Sequence, residues 1–280
     1  MNGRAPGSTA ARKDHHDEWR VDEGGLAFRV LLSSPTVVGL RPAIVLIHGI
    51  GMSHRYLSRL HDVLAQDRAV YSIDLPGFGG LPKPGADVGV TAMASALGGV
   101  IESLNAGPVV LVGHSMGAQW VVEVGAQRPE HVTDVVVIGP VADAEHRSLA
   151  SQLIALARDS LGETLAINAI VLTDYVRCGV PWYLAQVRHM LAYRIEDRVT
   201  ALSMPLIVIR GARDPIAGLE WCRRLRDSAA RARLILIPAH HHVAQQSAPK
   251  AVAAAILAHV TVNGVSSGRS TVADQAALAG

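Results

Sequence analysis

VVLVGHSMGAQWVVEVGAQ, residues 109–127, is the stretch whose reading decides the fold. Its first four residues are apolar and β-branched or leucine, as in a strand covered on both faces, and from Gly117 onward the spacing of apolar residues is helical. Between them stands Gly113-His114-Ser115-Met116-Gly117, the pattern G-x-S-x-G. A strand that passes directly into a helix must turn sharply. Side chains at 113 or 117 would crowd that turn, and glycine removes them. The geometry lifts the Ser115 hydroxyl above the end of the sheet as a candidate nucleophile, and it aims the N-terminus of the next helix at the same point. The Met116 amide is then available to a developing oxyanion.

Outward from this stretch, short apolar runs alternate with longer amphipathic ones. The runs cover residues 42–49, 69–77, 108–115, 132–140, 204–214 and 232–240. Strands alternating with helices predict an α/β architecture with a mostly parallel central sheet flanked by helices. Each run ends in Gly, Pro, Asp or His, so the residues with chemistry gather at the C-terminal rim of the sheet, where such folds bind ligands. The alternation breaks once, between Pro140 and Met204. About sixty residues of helical pattern there predict a lid over the rim. The division expected is a core of 18–140 and 204–260, a helical cap of 141–203, and flexible tails of 1–17 and 261–280.

Composition narrows the function classes. Of 280 residues 49% are apolar and 18% charged, which excludes a disordered chain, a coiled coil and a collagen-like repeat. A net charge of +2, with arginines scattered, provides no nucleic-acid or membrane footprint. Cys178 and Cys222 stand apart without a CxxC pair, as in a reduced, cytoplasmic protein. The first seventeen residues contain no apolar h-region and no run approaches the ~18 residues of a membrane span, so neither a leader nor a span is expected. The partner expected is a neutral small molecule, and the chain is expected to act as a monomer or homodimer.

Four separated motifs, LIHGIG (46–51), DLPGFGG (74–80), GHSMGA (113–118) and RGARDPI (210–216), resemble the α/β-hydrolase fold family in its cap-bearing serine hydrolase branch. The likeness covers roughly residues 18–260, with Ala118 where many members have a second glycine. It implies a cap inserted after the sixth strand and a chain order of serine, acid, then histidine. For the base it offers His240, His241 and His242. The family's phrasing around its histidine favours His242, four residues after Pro238 and seven before Pro249, with His241 next. Consecutive histidines cannot all face one ion and no carboxylate cluster accompanies them, so no metal is expected. For the acid the likeness points to Asp214, with Asp143 as rival. An aspartate at 214 has a second possible role as cap of the following helix. The second oxyanion amide falls on Ile50, and His48 and Asp74 read as structural.

Serine at the nucleophile position argues against epoxide opening or halide displacement, for which relatives carry aspartate. The expected function is a serine hydrolase cleaving an ester, lactone or thioester of a small to medium apolar acyl substrate through an acyl-enzyme on Ser115, with no cofactor. Two alternatives share the scaffold: a C–C bond hydrolase or non-hydrolytic lyase or cyclase, and a non-catalytic ligand receptor. In the cap, Tyr175, Trp182, Tyr183, His189 and Met190, with Tyr193 nearby, are candidates for a substrate pocket. The same residues would serve equally as cap core.

Overall fold

A computed structural model describes residues 16–35, 41–141, 143 and 165–260. Eight strands form one sheet: β1 (Asp17–Glu23), β2 (Leu26–Ser33), β3 (Ile44–Ile47), β4 (Val70–Asp74), β5 (Val109–His114), β6 (Val132–Ile138), β7 (Leu206–Gly211) and β8 (Ala232–Ile237). Their order is β1-β2-β4-β3-β5-β6-β7-β8. The β1–β2 and β2–β4 pairs are antiparallel, and every other pair is parallel.

Helices cover both faces. They are α1 (Ser58–Leu64), α2 (Val90–Ser103), α3 (Gly117–Gln127), α4 (Leu165–Cys178), α5 (Val180–Ala192), α6 (Ile195–Arg198), α7 (Leu219–Ser228), α8 (Ala244–Ser247) and α9 (249–260). The pleat divides each central strand between two cores. Val45 and Ile47 of β3 join Leu97, Trp120 and Trp221 from α2, α3 and α7, whereas Ile44 and Leu46 join Leu60, Ala244 and Ile256 from α1, α8 and α9. All four β3 side chains are fully buried, and each contributes about 1.5–3 kcal/mol. Two-sided burial is why these strands read as unbroken apolar runs.

Between β6 and β7 the described residues form α4, α5 and α6. Part of the expected lid, residues 142 and 144–164, lies outside the described residues, as do most of both expected tails. The remainder is tied down in several places. Gln119 of α3 donates to the Met190 carbonyl at 2.9 Å, and Gln186 of α5 donates to the Val88 carbonyl at 3.0 Å. Glu123 of α3 accepts from Tyr193 at 2.6 Å and from Arg198 at 2.7 Å. Cys178 and Cys222 are buried free thiols, and burial pushes them up to about 11 and about 12.

Candidate active site

Ser115 sits in the turn between β5 and α3 with φ +57°, a left-handed conformation that non-glycine residues rarely adopt. Holding it there costs about 1–3 kcal/mol, and the surroundings enforce it. The Ser115 amide donates to the Ile138 carbonyl at 2.9 Å, and the Ser115 carbonyl accepts from the Ala118 amide at 3.0 Å. A Cβ on Gly117 would lie 2.6 Å from the Ile47 and His48 carbonyl oxygens, and one on Gly113 would collide with the Gly117 carbonyl. Both glycines of the motif are therefore required by backbone closeness.

His242 and Asp214 meet at this turn from the far side. The His242 ring abuts Gly139, next to the carbonyl that holds the Ser115 amide. Its Nδ1–H donates to Asp214 Oδ2 at 2.9 Å, with both side chains buried. The other carboxylate oxygen, Oδ1, accepts from the Ile216 and Ala217 amides at 2.7 and 2.9 Å. Asp214 thus both faces the histidine and stops the loop before α7. Burial pushes its carboxyl up, but the His242 ring and the two amides outweigh that and hold it below the usual carboxylate range. The rival Asp143 is engaged elsewhere, accepting from Arg224 at 2.7 Å. His240 pairs through Nδ1 with Ser247 Oγ at 2.9 Å. No metal-binding cluster occurs among the described residues.

Two buried residues that sequence reading passed over hold this pair in place. Arg210, the penultimate residue of β7, donates to the carbonyls of Ala212 at 2.9 Å and Asp214 at 2.8 Å, and also to that of Ala217. One guanidinium fork therefore shapes the whole loop that presents Asp214. Replacing Arg210 by methionine leaves three carbonyls unpaired, and it is expected to lower stability by about 3 kcal/mol and kcat about tenfold, read by urea unfolding and ester turnover. The second residue is His114, whose Nε2–H donates to the His242 carbonyl at 3.1 Å. Its ring lies 4.8 Å from that of His242. Burial pushes the His114 imidazole down to about 3, assisted by the neighbouring His242, so it stays neutral and keeps one N–H to donate.

Among the described residues, neither the Ile50 nor the Met116 amide donates to a backbone acceptor outside regular helices and strands. Both residues are buried. His48 ties the loop that carries Ile50 to the sheet: its Nδ1–H donates to the Gly49 carbonyl at 2.8 Å, and its Nε2 accepts the Leu75 amide at 3.1 Å. Burial lowers its imidazole, which favours the neutral form that can do both. Asp74 accepts from the His54 ring at 2.8 Å and Arg29 at 3.1 Å, a structural role that fixes the start of the neighbouring loop.

The residues expected to line a pocket divide. Tyr175 packs on Gly51 and meets Tyr183 edge-on at 5.1 Å, both close to the Ile50 loop. Trp182 packs on Gly77, its ring 6.1 Å from Phe78, and with Met190 belongs to the core that includes Met116 and Trp120. His189 is engaged with the exposed Asp87 at 2.6 Å instead.

A mostly parallel sheet with a strained serine at one strand end and a buried histidine–aspartate pair beside it defines the class of α/β hydrolases. The chain belongs to the alpha/beta hydrolase family, whose model matches residues 44–255. It is 26% identical over 227 residues to the (E)-2-((N-methylformamido)methylene)succinate hydrolase of Acinetobacter baylyi, a match covering 75% of this chain and 86% of that one. An uncharacterised protein of Mycobacterium tuberculosis is 31% identical over 136 residues, and there the match covers 49% of this chain and 40% of the relative. Among solved structures, the enol-lactonase from Burkholderia xenovorans LB400 superposes with a TM-score of 0.74 at 17% identity, covering 86% of this chain and 99% of that one. At that identity the likeness concerns the fold. No helix among the described residues is long and apolar enough to cross a membrane.

Proposed function

We propose that the chain is a serine hydrolase acting on an ester, lactone or thioester of a small to medium apolar acyl compound, beneath a cap formed by residues 141–203. The observation that carries this reading is the buried His242–Asp214 hydrogen bond set beside the strained Ser115 turn. With Nδ1–H committed to Asp214, Nε2 is the unprotonated ring nitrogen and serves as the base. It takes the Ser115 proton as Oγ attacks the acyl carbon, while the Ile50 and Met116 amides receive the oxyanion. Collapse releases the alcohol or thiol, protonated by His242, and leaves the acyl group on Ser115. His242 next draws a proton from water, which attacks the acyl-enzyme and frees the acid.

The names of the Acinetobacter relative and the Burkholderia neighbour, a hydrolase and a lactonase, favour hydrolysis over a receptor role. Met116, next to Ser115, belongs to a buried apolar core that Trp182 and Met190 share, and apolar surroundings of that kind suit an uncharged acyl group. A panel of p-nitrophenyl esters of rising acyl length, with lactones alongside, tests the assignment. Turnover of uncharged acyl groups that disappears in Ser115→Ala supports it, and activity that survives Ser115→Ala contradicts it.

A further inference from the structure

Ser53 stands directly before the short helical turn His54–Leu57, where a serine ordinarily turns its hydroxyl back onto the turn's free amides. It makes no such bond. Its Oγ–H donates instead to Asp174 Oδ2 of α4 at 2.7 Å, and both side chains are buried. A buried carboxylate needs partners, and among the described residues those of Asp174 come from one short stretch, Ser53 and Arg55, the latter 3.6 Å from its Oδ1. Tyr175, the next residue of α4, covers the same loop. Its ring sits so close to Gly51 that a Cβ there would overlap it, and Gly51 has φ +75°. Tyr183 of α5 backs the Tyr175 ring edge-on. Two adjacent cap residues therefore grip positions 51, 53 and 55, immediately after the Ile50 amide, while His48 secures the other end of the loop to the sheet.

We propose that cap helix α4 sets the geometry of the oxyanion loop, with Asp174 acting through Ser53 as a positioning residue for the Ile50 amide. This rests on the hydrolase reading of Ser115. The hole is then complete only when the cap is seated on the loop, so the cap contributes to turnover as well as to substrate binding.

The test compares Ser53→Ala, Asp174→Ala and Asp174→Asn on a p-nitrophenyl ester. An alkyl trifluoromethyl ketone, whose serine adduct places an oxyanion in the hole, is titrated in parallel. The expected result for Ser53→Ala and Asp174→Ala is a kcat about tenfold lower, KM within about twofold of wild type, and ketone affinity reduced by the same factor as kcat. Asp174→Asn keeps an oxygen that accepts from Ser53 and is expected to retain most of the activity. Wild-type kcat and ketone affinity in Ser53→Ala overturn the proposal, as does a rise in KM alone. Ser53→Ala decides the matter if Asp174→Ala does not fold. Labelling of the wild type by a fluorophosphonate separates the two failures: an unlabelled Ser115 sinks the hydrolase reading itself, whereas normal labelling with unaffected variants sinks only the cap coupling.

Discussion

Replacing His242 by alanine is expected to lower kcat on a p-nitrophenyl ester by about 10⁴–10⁶-fold, while His241→Ala stays within about threefold of wild type. The contrast follows from what each ring touches. His242 Nδ1 is bonded to a carboxylate that is itself fixed by two amides, so the tautomer protonated on Nδ1 is held in place before any substrate binds. Nδ1 of His241, by contrast, is buried without a hydrogen-bond partner among the described residues. Asp214→Asn removes the charge and favours the wrong tautomer, and its expected cost is about 10³–10⁴-fold. A collapse of turnover in His241→Ala with His242→Ala unaffected would reverse the assignment of the base.

Acid is expected to destabilise the protein well before its carboxylates protonate. Burial pushes His61 down to about 4 and His114 down to about 3, against 6.5 for a free imidazole. Their folded forms stay neutral while the unfolded chain takes up protons, so their contribution to stability is complete above pH 6.5. It is lost as pH falls, at about 1.4 kcal/mol per pH unit for each group, until the folded pKa is reached. Between pH 7 and pH 5 the pair costs about 4 kcal/mol, a large share of a typical stability of about 5–15 kcal/mol. Asp74 and Asp214 have depressed carboxyls. Their contribution is present above the free value of 3.8 and is lost only below it, so they leave the pH 5–7 window unchanged. Urea midpoints at pH 7 and pH 5 measure the difference. A marked fall is expected, partly relieved in His61→Gln, and a flat profile would show that these imidazoles are not held neutral.

Six of the eight strands are legible as apolar runs; in five of them, as at Ile44–Ile47 and Val109–Val112, the side chains are covered on both faces, whereas the edge strand β8 is only partly buried. The β1 strand, DEWRVDE, lies at the sheet edge with mostly exposed side chains. Its pairing with β2 comes from backbone hydrogen bonds that leave no hydrophobic trace in the sequence. The elbow is legible for a different reason, since glycine at 113 and 117 reports backbone crowding directly. His242 was distinguishable from its two neighbours only through its spacing to Pro238 and Pro249. Arg210 did leave a signal, a charge inside the otherwise apolar run LIVIRG, and a charged residue in a covered strand must have partners. His114 and Asp174 left none. Each is defined by a contact more than 100 residues away in the chain, to His242 and Ser53 respectively, and no local pattern records such a pairing.

The most direct test of the central claim is covalent. Incubating the protein with a fluorophosphonate and mapping the modified peptide by mass spectrometry is expected to place a single adduct on Ser115, with labelling lost in Ser115→Ala and strongly slowed in His242→Ala. An adduct on another residue, or no adduct under conditions where other serine hydrolases react fully, would contradict it.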